Sequence, residues 1–124
     1  MKGIAAAGVV MVALVPVGVL AAAEQPGGEG VSARKLVMEG NSAKGVAPCQ
    51  TCHGADGRSN VPMYPHLAGQ YRDYLAQALR EYRSGARQNP TMNQQAKGLS
   101  DAQIEGLAAY YAERKPVLEP LSLQ

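Results

Sequence analysis

The longest apolar run lies at the start of the chain. Residues 4–20 are almost wholly apolar apart from glycines and Pro16, and a single positive charge, Lys2, stands before them. Residues 21–23 are three alanines, which provide a small-x-small cleavage site. This order of features predicts a secretory signal peptide over residues 1–23. An uncleaved N-terminal membrane anchor is the alternative, because the run approaches the length that spans a bilayer.

The clearest helical pattern covers residues 70–84. Spacings of three and four place six residues on one face: Tyr71, Tyr74, Leu75, Ala78, Leu79 and Tyr82. We interpret this face as the one that packs in the core. The arginines at 80, 83 and 87 are interpreted as a solvated helix face. Gly85 follows where a C-terminal cap is expected, and Asn89-Pro90 starts another turn.

Shorter helices are predicted on either side of this segment. Ser32 can cap a helix that carries Leu36 and Val37. Residues 100–103 (Ser-Asp-Ala-Gln) form a capping box ahead of a third helix, which we expect Pro116 to end. The inner stripe of this third helix is Ile104, Leu107, Ala108 and Tyr111. Since no strand pattern and no internal repeat is found, the sequence predicts an all-α domain with long loops.

The organisation of the chain follows from these segments. Residues 24–30 are rich in Gly, Pro and Glu and indicate a flexible lead-in. Removing the predicted signal peptide leaves roughly 100 residues, enough for one domain. We assign that domain to residues 31–116 and a C-terminal tail to residues 117–124. No membrane span is expected after cleavage.

Composition adds two constraints. The formal net charge is only +2, whereas a nucleic-acid partner would call for a clustered basic excess. The chain has no Trp, no Phe and six Tyr. A domain so poor in large apolar side chains buries little apolar surface to offset the conformational entropy that the chain loses on folding. An embedded cofactor would supply the missing part of the core.

The cysteines suggest which cofactor. Residues 49–53 read Cys-Gln-Thr-Cys-His, and this pattern is typical of c-type haem attachment. In that chemistry Cys49 and Cys52 each add across a vinyl group of the porphyrin to form a thioether, and His53 becomes the proximal iron ligand. The sequence therefore predicts one covalently attached haem c per chain.

Three other interpretations of the cysteines explain less of the sequence. A thioredoxin-like centre belongs beside a strand-helix-strand pattern, but the surrounding sequence is Gly, Ala and Pro. A structural zinc site needs four ligands, whereas the chain has two cysteines and one further histidine, His66. A lone disulfide remains open, although it would explain neither His53 nor the rest of the chain.

Several short motifs follow one another in a recognisable order: Cys49-x-x-Cys52-His53-Gly54, Tyr64-Pro65-His66-Leu67-Ala68-Gly69-Gln70, Tyr74-Leu75, Gly85-x-Arg87-x-Asn89, Leu99-Ser100-Asp101 and Leu107-Ala108-Ala109-Tyr110-Tyr111. This order resembles a class I cytochrome c over about residues 31–113. It is most similar to the small bacterial group that includes the cytochrome subunit of flavocytochrome c sulfide dehydrogenase and each half of the dihaem periplasmic cytochromes. The resemblance implies the cytochrome c fold, in which short helices and long loops surround one haem.

The resemblance also implies the rest of the iron site. Such proteins use a methionine thioether as the second axial ligand, and Met92 lies in the expected loop between the second and third predicted helices. Met38 falls in the first helix, and Met63 precedes the segment that passes the proximal side of the haem. The carbonyl of Pro65 would accept a hydrogen bond from His53, and His66 would point to solvent.

An iron with both axial positions filled implies one-electron transfer rather than catalysis. The resemblance therefore implies a periplasmic electron carrier, since thioethers of this type form outside the cytoplasmic membrane. Its partners would be redox proteins such as membrane complexes, oxidases or a flavoprotein dehydrogenase. A dedicated haem subunit of a dehydrogenase complex, such as a flavocytochrome c sulfide dehydrogenase, is the alternative. An enzyme or gas sensor with an open iron position is a third hypothesis.

Overall fold

The structure is a computed structural model that describes residues 31–117. The predicted signal peptide, the lead-in and residues 118–124 of the predicted tail lie outside this range. Within it there is no strand, and the extended pairing is limited to an isolated antiparallel bridge between Asn41 and Val46. The all-α prediction is confirmed.

The described chain forms five α-helices and one short 3₁₀ turn. The 3₁₀ turn, Ser42–Lys44, lies between the first two α-helices. The α-helices are α1 (Ala33–Met38), α2 (Gln50–His53), α3 (Arg72–Ser84), α4 (Pro90–Lys97) and α5 (Asp101–Ala112).

Local capping explains where several helices begin and end. The Ser32 side chain accepts from the N–H of Lys35, as expected for the start of α1. At α5, the Ser100 hydroxyl accepts from the N–H of Gln103 while the Gln103 side chain accepts from the N–H of Ser100, so the predicted capping box is confirmed. Gly85 ends α3 with a positive φ of 83°.

The end of α5 differs from the prediction. The helix ends at Ala112, four residues before Pro116. The N–H of Arg114 bonds to the carbonyl of Tyr111 at 3.1 Å, a tightened final turn. The Arg58 guanidinium then donates hydrogen bonds to the carbonyls of Lys115 and Pro116, at 3.1 and 3.2 Å. A long-range contact, rather than proline alone, therefore sets the direction of the chain after α5.

Helix α4 was not predicted. Asn89 caps it by accepting from the N–H of Met92 at 3.0 Å, and Pro90 occupies its first turn. Both features are helix-start signals, but no strong apolar stripe accompanies them. Met92 therefore lies in a helical first turn rather than in the loop expected from the sequence.

The core forms where α3 and α5 meet, with α4 packed on α3 and α1 on α5. Leu36, Val37 and Ile104 are fully buried, and Leu75, Leu107 and Ala108 extend the same cluster. The predicted inner stripe of α5 is confirmed, because all four of its residues are buried.

The tyrosines of α3 do not all fill the core. Tyr71 is 82% exposed and Tyr74 is 48% exposed, whereas Leu75 and Ala76 are the buried residues of this helix. Tyr71 precedes the first helical turn as its N-cap residue. The Arg87 guanidinium lies 5.8 Å from the Tyr74 ring centroid and 5.1 Å from that of Tyr82, so cation–π contacts occupy this face.

The other arginines connect helices. Arg72 and Arg80 of α3 both pair with Glu105 of α5. Arg83 pairs with Asp101 at 2.5 Å and donates to the Leu99 carbonyl. The hydrogen bond from Arg83 lowers the pKa of the Asp101 carboxyl. The predicted solvated face thus includes interhelical ion pairs, which are partly exposed and contribute modest stability.

Two glycines with positive φ allow a controlled test of the turn after α1. Gly40 has φ 72°, and an added Cβ would overlap the carbonyl oxygen of Val46 and lie 2.8 Å from the carbonyl carbon of Ala47. At Gly85 an added Cβ would meet only the side chain of Gln88, at 3.9 Å. We expect Gly85→Ala to cost about 1 kcal/mol and Gly40→Ala about 3 kcal/mol, since the second variant adds a backbone clash to the conformational penalty. Denaturant unfolding of both variants measures the difference, and equal losses would contradict this account.

Candidate functional site

A cavity of about 460 Å³ lies beside the core. Its walls come from α2, the loop before α3, one face of α3, the start of α4 and the inner face of α5. The four site residues predicted from the sequence all line it: Cys49, Cys52, His53 and Met92. The fold therefore brings together residues that are up to 43 positions apart in the chain.

The attachment motif forms one helical turn. The carbonyl of Cys49 accepts from the N–H groups of Cys52 and His53, at 3.3 and 3.0 Å. This turn places two thiols three residues apart on one side of the helix. Gly54 ends α2 with φ 79°, and an added Cβ there would lie 2.6 Å from the Arg58 carbonyl oxygen. The chain can therefore turn sharply after His53.

The surroundings of the two thiols bear on the disulfide, thioredoxin-like and zinc interpretations of the cysteines. Cys49 and Cys52 are both free, so they do not form a disulfide. Burial raises the pKa of Cys49 to about 11, against a smaller opposing effect of its backbone hydrogen bond. A thioredoxin-like nucleophile needs the opposite shift. In residues 31–117 no group of three or more His, Cys, Asp or Glu side chains is placed to hold a metal ion.

His53 is held in one orientation. The residue is 8% exposed, and its Nδ1 lies 2.9 Å from the carbonyl oxygen of Pro65. A carbonyl can only accept, so Nδ1 donates and carries the proton. The lone pair is then on Nε2, the nitrogen that remains for coordination. The hydrogen bond inferred from the family resemblance is thus present.

The loop that carries Pro65 is closed by backbone hydrogen bonds. The N–H groups of Leu67 and Ala68 both donate to the carbonyl of Gly57, at 2.8 and 3.1 Å. Tyr64 lies edge-on to the His53 ring, with centroids 6.3 Å apart. The imidazole therefore has an ordered loop on one side and an aromatic neighbour.

Met92 reaches the cavity from α4. It is half-buried, and its N–H is bonded by the Asn89 cap. The next residue, Asn93, fastens α4 to the end of α3 by donating to the carbonyls of Tyr82 and Arg87, at 2.7 and 2.8 Å. These contacts fix the turn from which the thioether projects.

The other methionines have different surroundings. Met63 also lines the cavity, but it is 75% exposed and belongs to the loop that holds His53 through Pro65. Met38 packs against the core cluster. Its carbonyl accepts from the side chain of Gln50 at 2.8 Å.

Tyr111 is a cavity residue that sequence reasoning placed only in the core. Its side chain is 4% exposed, and its hydroxyl is buried without a hydrogen-bond partner in the structure. Burial raises the pKa of this phenol, and the nearby Cys49 adds to the effect. A buried hydroxyl that lines a cavity calls for an acceptor from whatever the cavity holds.

The residues fit a c-type haem. Two thiols share one turn, a buried imidazole offers Nε2, a thioether lies on another wall, and leucines and alanines provide apolar contact. The buried Tyr111 hydroxyl provides a hydrogen-bond donor that has no acceptor among the described residues. These features agree with thioether attachment and axial ligation, whereas none of the alternatives uses all of them.

Comparison with known proteins agrees with this geometry. Residues 37–113 match the family model "Cytochrome c". The chain belongs to the cytochrome c family. As a c-type cytochrome it carries one haem c, attached covalently through Cys49 and Cys52. The predictions of class, fold and cofactor are therefore confirmed.

Three relatives show the range of the similarity. The thiosulfate dehydrogenase electron acceptor of Thiomonas intermedia is 48% identical over 60% of this chain and 35% of its own length. Cytochrome c-554(548) of Halomonas halodenitrificans is 39% identical over 61% of this chain and 99% of its own length. The structure of cytochrome c4 from Acidithiobacillus ferrooxidans superposes with a TM-score of 0.60 and 36% identity, covering 64% of this chain and 46% of that one.

The chain thus spans about a third of the first of these relatives, about half of the cytochrome c4 structure and nearly all of the second relative. None of the helices within residues 31–117 has both the length and the apolar character needed to cross a bilayer.

Covalent attachment can be tested directly. We expect the double variant Cys49→Ala/Cys52→Ala to show no haem staining on a denaturing gel, because neither thioether can form. The single variants should each retain some stain if one thioether suffices to hold the porphyrin. Stain in the double variant equal to that of the native protein would refute attachment through these thiols.

Proposed function

We propose that the protein is a periplasmic one-electron carrier in which His53 and Met92 are the axial ligands of the haem iron. The observation that carries this proposal is the 2.9 Å hydrogen bond from His53 Nδ1 to Pro65, because it leaves Nε2 as the coordinating nitrogen. Met92, on a different helix of the same cavity, supports the second position.

When bound, haem c supplies an Fe(III)/Fe(II) couple. The residues of the chain set the conditions for that couple. By accepting a hydrogen bond from Nδ1 of His53, the Pro65 carbonyl makes the imidazole a stronger electron donor, which stabilises Fe(III). A thioether such as that of Met92 favours the reduced iron and raises the potential. The two ligands therefore act in opposite directions on the potential.

The cavity walls limit water and leave access at one side. Leu75, Leu107 and Tyr111 are buried behind the site, whereas Cys49 and Cys52 are only partly buried. We infer that electrons enter and leave near the cysteine-bearing turn, through small and transient contacts with redox proteins. The predicted signal peptide and the chemistry of haem attachment support a periplasmic location.

A second function is favoured by one comparison. A relative that is 48% identical is named as a thiosulfate dehydrogenase electron acceptor, which suggests a haem subunit dedicated to one dehydrogenase. The sequence resemblance to a flavocytochrome c subunit gave the same type of alternative. Purification from the native membrane-free extract distinguishes them: a free carrier elutes alone at the mass of one chain with haem, whereas a dedicated subunit elutes with a dehydrogenase.

Methionine substitutions test the second ligand. We expect Met92→Ala to lose the weak charge-transfer absorption of methionine-bound ferric haem and to have a lower reduction potential, because the thioether no longer stabilises Fe(II). The matched control is Met63→Ala, which removes a cavity methionine from the His53 side and should keep both properties. Visible spectra during a redox titration measure both.

Two outcomes would contradict the assignment. If Met92→Ala keeps the native absorption and potential while Met63→Ala loses them, the ligand is Met63. If the unmodified ferrous protein is high-spin and binds carbon monoxide readily, the iron has an open position and the protein is not a His/Met electron carrier.

A further inference from the structure

His66 has a specific contact that its position in an exposed loop did not suggest. The residue is exposed, as expected, but its Nδ1 lies 3.0 Å from the backbone nitrogen of Ser59. A backbone N–H can only donate, so Nδ1 accepts and carries no proton. Ser59 is itself buried, and its N–H has this imidazole as its partner. The side chain is thus part of the loop structure and not simply a solvated group.

This contact closes the loop at a point that bears on the iron site. The loop runs from Gly57 to Ala68, and its backbone ends are joined through the Gly57 carbonyl. The Ser59–His66 bond is a second cross-link, one residue from Pro65. The Ser59 hydroxyl bonds within its own side of the loop: Oγ donates to the Val61 carbonyl and accepts from the Val61 N–H. His66 is therefore the side chain that joins the arms next to the carbonyl that holds His53.

From this arrangement we propose that His66 is a positioning residue: by accepting from Ser59, it fixes the Pro65 carbonyl against His53 and so tunes the reduction potential. The inference rests on the proposed function, since it requires His53 as an iron ligand. It assigns a role to a residue that touches neither the iron ligands nor the thioethers in the contacts described.

The expected direction follows from ligand basicity. A well-placed acceptor on Nδ1–H increases electron donation from the imidazole and stabilises Fe(III). When the loop is loosened, the Pro65 carbonyl is held less firmly and this donation weakens. The potential should then become more positive, and the Nδ1 proton of His53 should exchange faster with water.

A pair of variants of similar size isolates the acceptor. Asn at position 66 offers an oxygen close to the place of Nδ1, whereas Leu has the same branching without an acceptor. We expect His66→Asn to keep the native potential and the slow exchange of the His53 Nδ1 proton. His66→Leu should shift the potential upward and speed that exchange. Redox titration and proton NMR of the haem-loaded protein measure both properties.

Arg58→Met is the control for loss of stability alone. Arg58 belongs to the same loop, but its guanidinium donates to the carbonyls of Lys115 and Pro116 rather than to His66 or Pro65. We expect this variant to unfold at lower denaturant concentration without a shift in potential. A purely structural role for His66 would give the same result for His66→Leu.

The outcomes separate this inference from the proposed function. If the native protein has a low-spin spectrum with the methionine absorption but His66→Leu leaves potential and exchange unchanged, only the positioning role is refuted. If His66→Asn shifts the reduction potential as much as His66→Leu does, the positioning role is also refuted, because the acceptor atom would then not matter. If the spectrum of the native protein shows no His/Met ligation, the proposed function itself is refuted.

Discussion

The haem cavity of this domain is lined in part by residues of its hydrophobic core. Val46, Leu75, Leu99, Leu107, Ala108 and Tyr111 belong to the core cluster and also line the cavity. A chain without Trp or Phe has few large side chains with which to complete such a core. The covalently attached porphyrin supplies that apolar surface, so cofactor binding and folding depend on the same contacts.

The two proposed axial ligands reach this cavity by different means. His53 belongs to the attachment motif and is oriented by a carbonyl twelve residues later. Met92 is carried by α4, whose position depends on the Asn89 cap and on the bonds from Asn93 to the end of α3. One ligand is thus fixed mainly by a loop and the other by the packing of two helices. Changes in either support can alter the iron site without touching the iron.

The Ser59–His66 bond extends this view of the proximal side. Hydrogen bonds beyond the ligands commonly orient a metal-bound imidazole and adjust its basicity. Here the nearest acceptor is a backbone carbonyl, which no side-chain substitution can remove directly. The chain can still adjust it through the side chains that hold the loop, and His66 is the one that joins its two arms beside Pro65.

Local signals in the sequence determined much of this protein. The Cys49–His53 motif, the Ser32 cap, the capping box at Ser100 and the inner stripe of α5 depend on neighbours within one or two turns, and the structure contains each of them. Tertiary contacts decided what these patterns could not show. Helix α4 forms although it lacks a strong apolar stripe, and Tyr71 and Tyr74 are exposed although they share a face with Leu75. Arg80 and Arg83 bridge to α5, and His66 faces Ser59. The physical reason is that each of these outcomes depends on a partner brought close only by folding, whereas a cap or a haem-attachment turn carries its partners in the adjacent sequence.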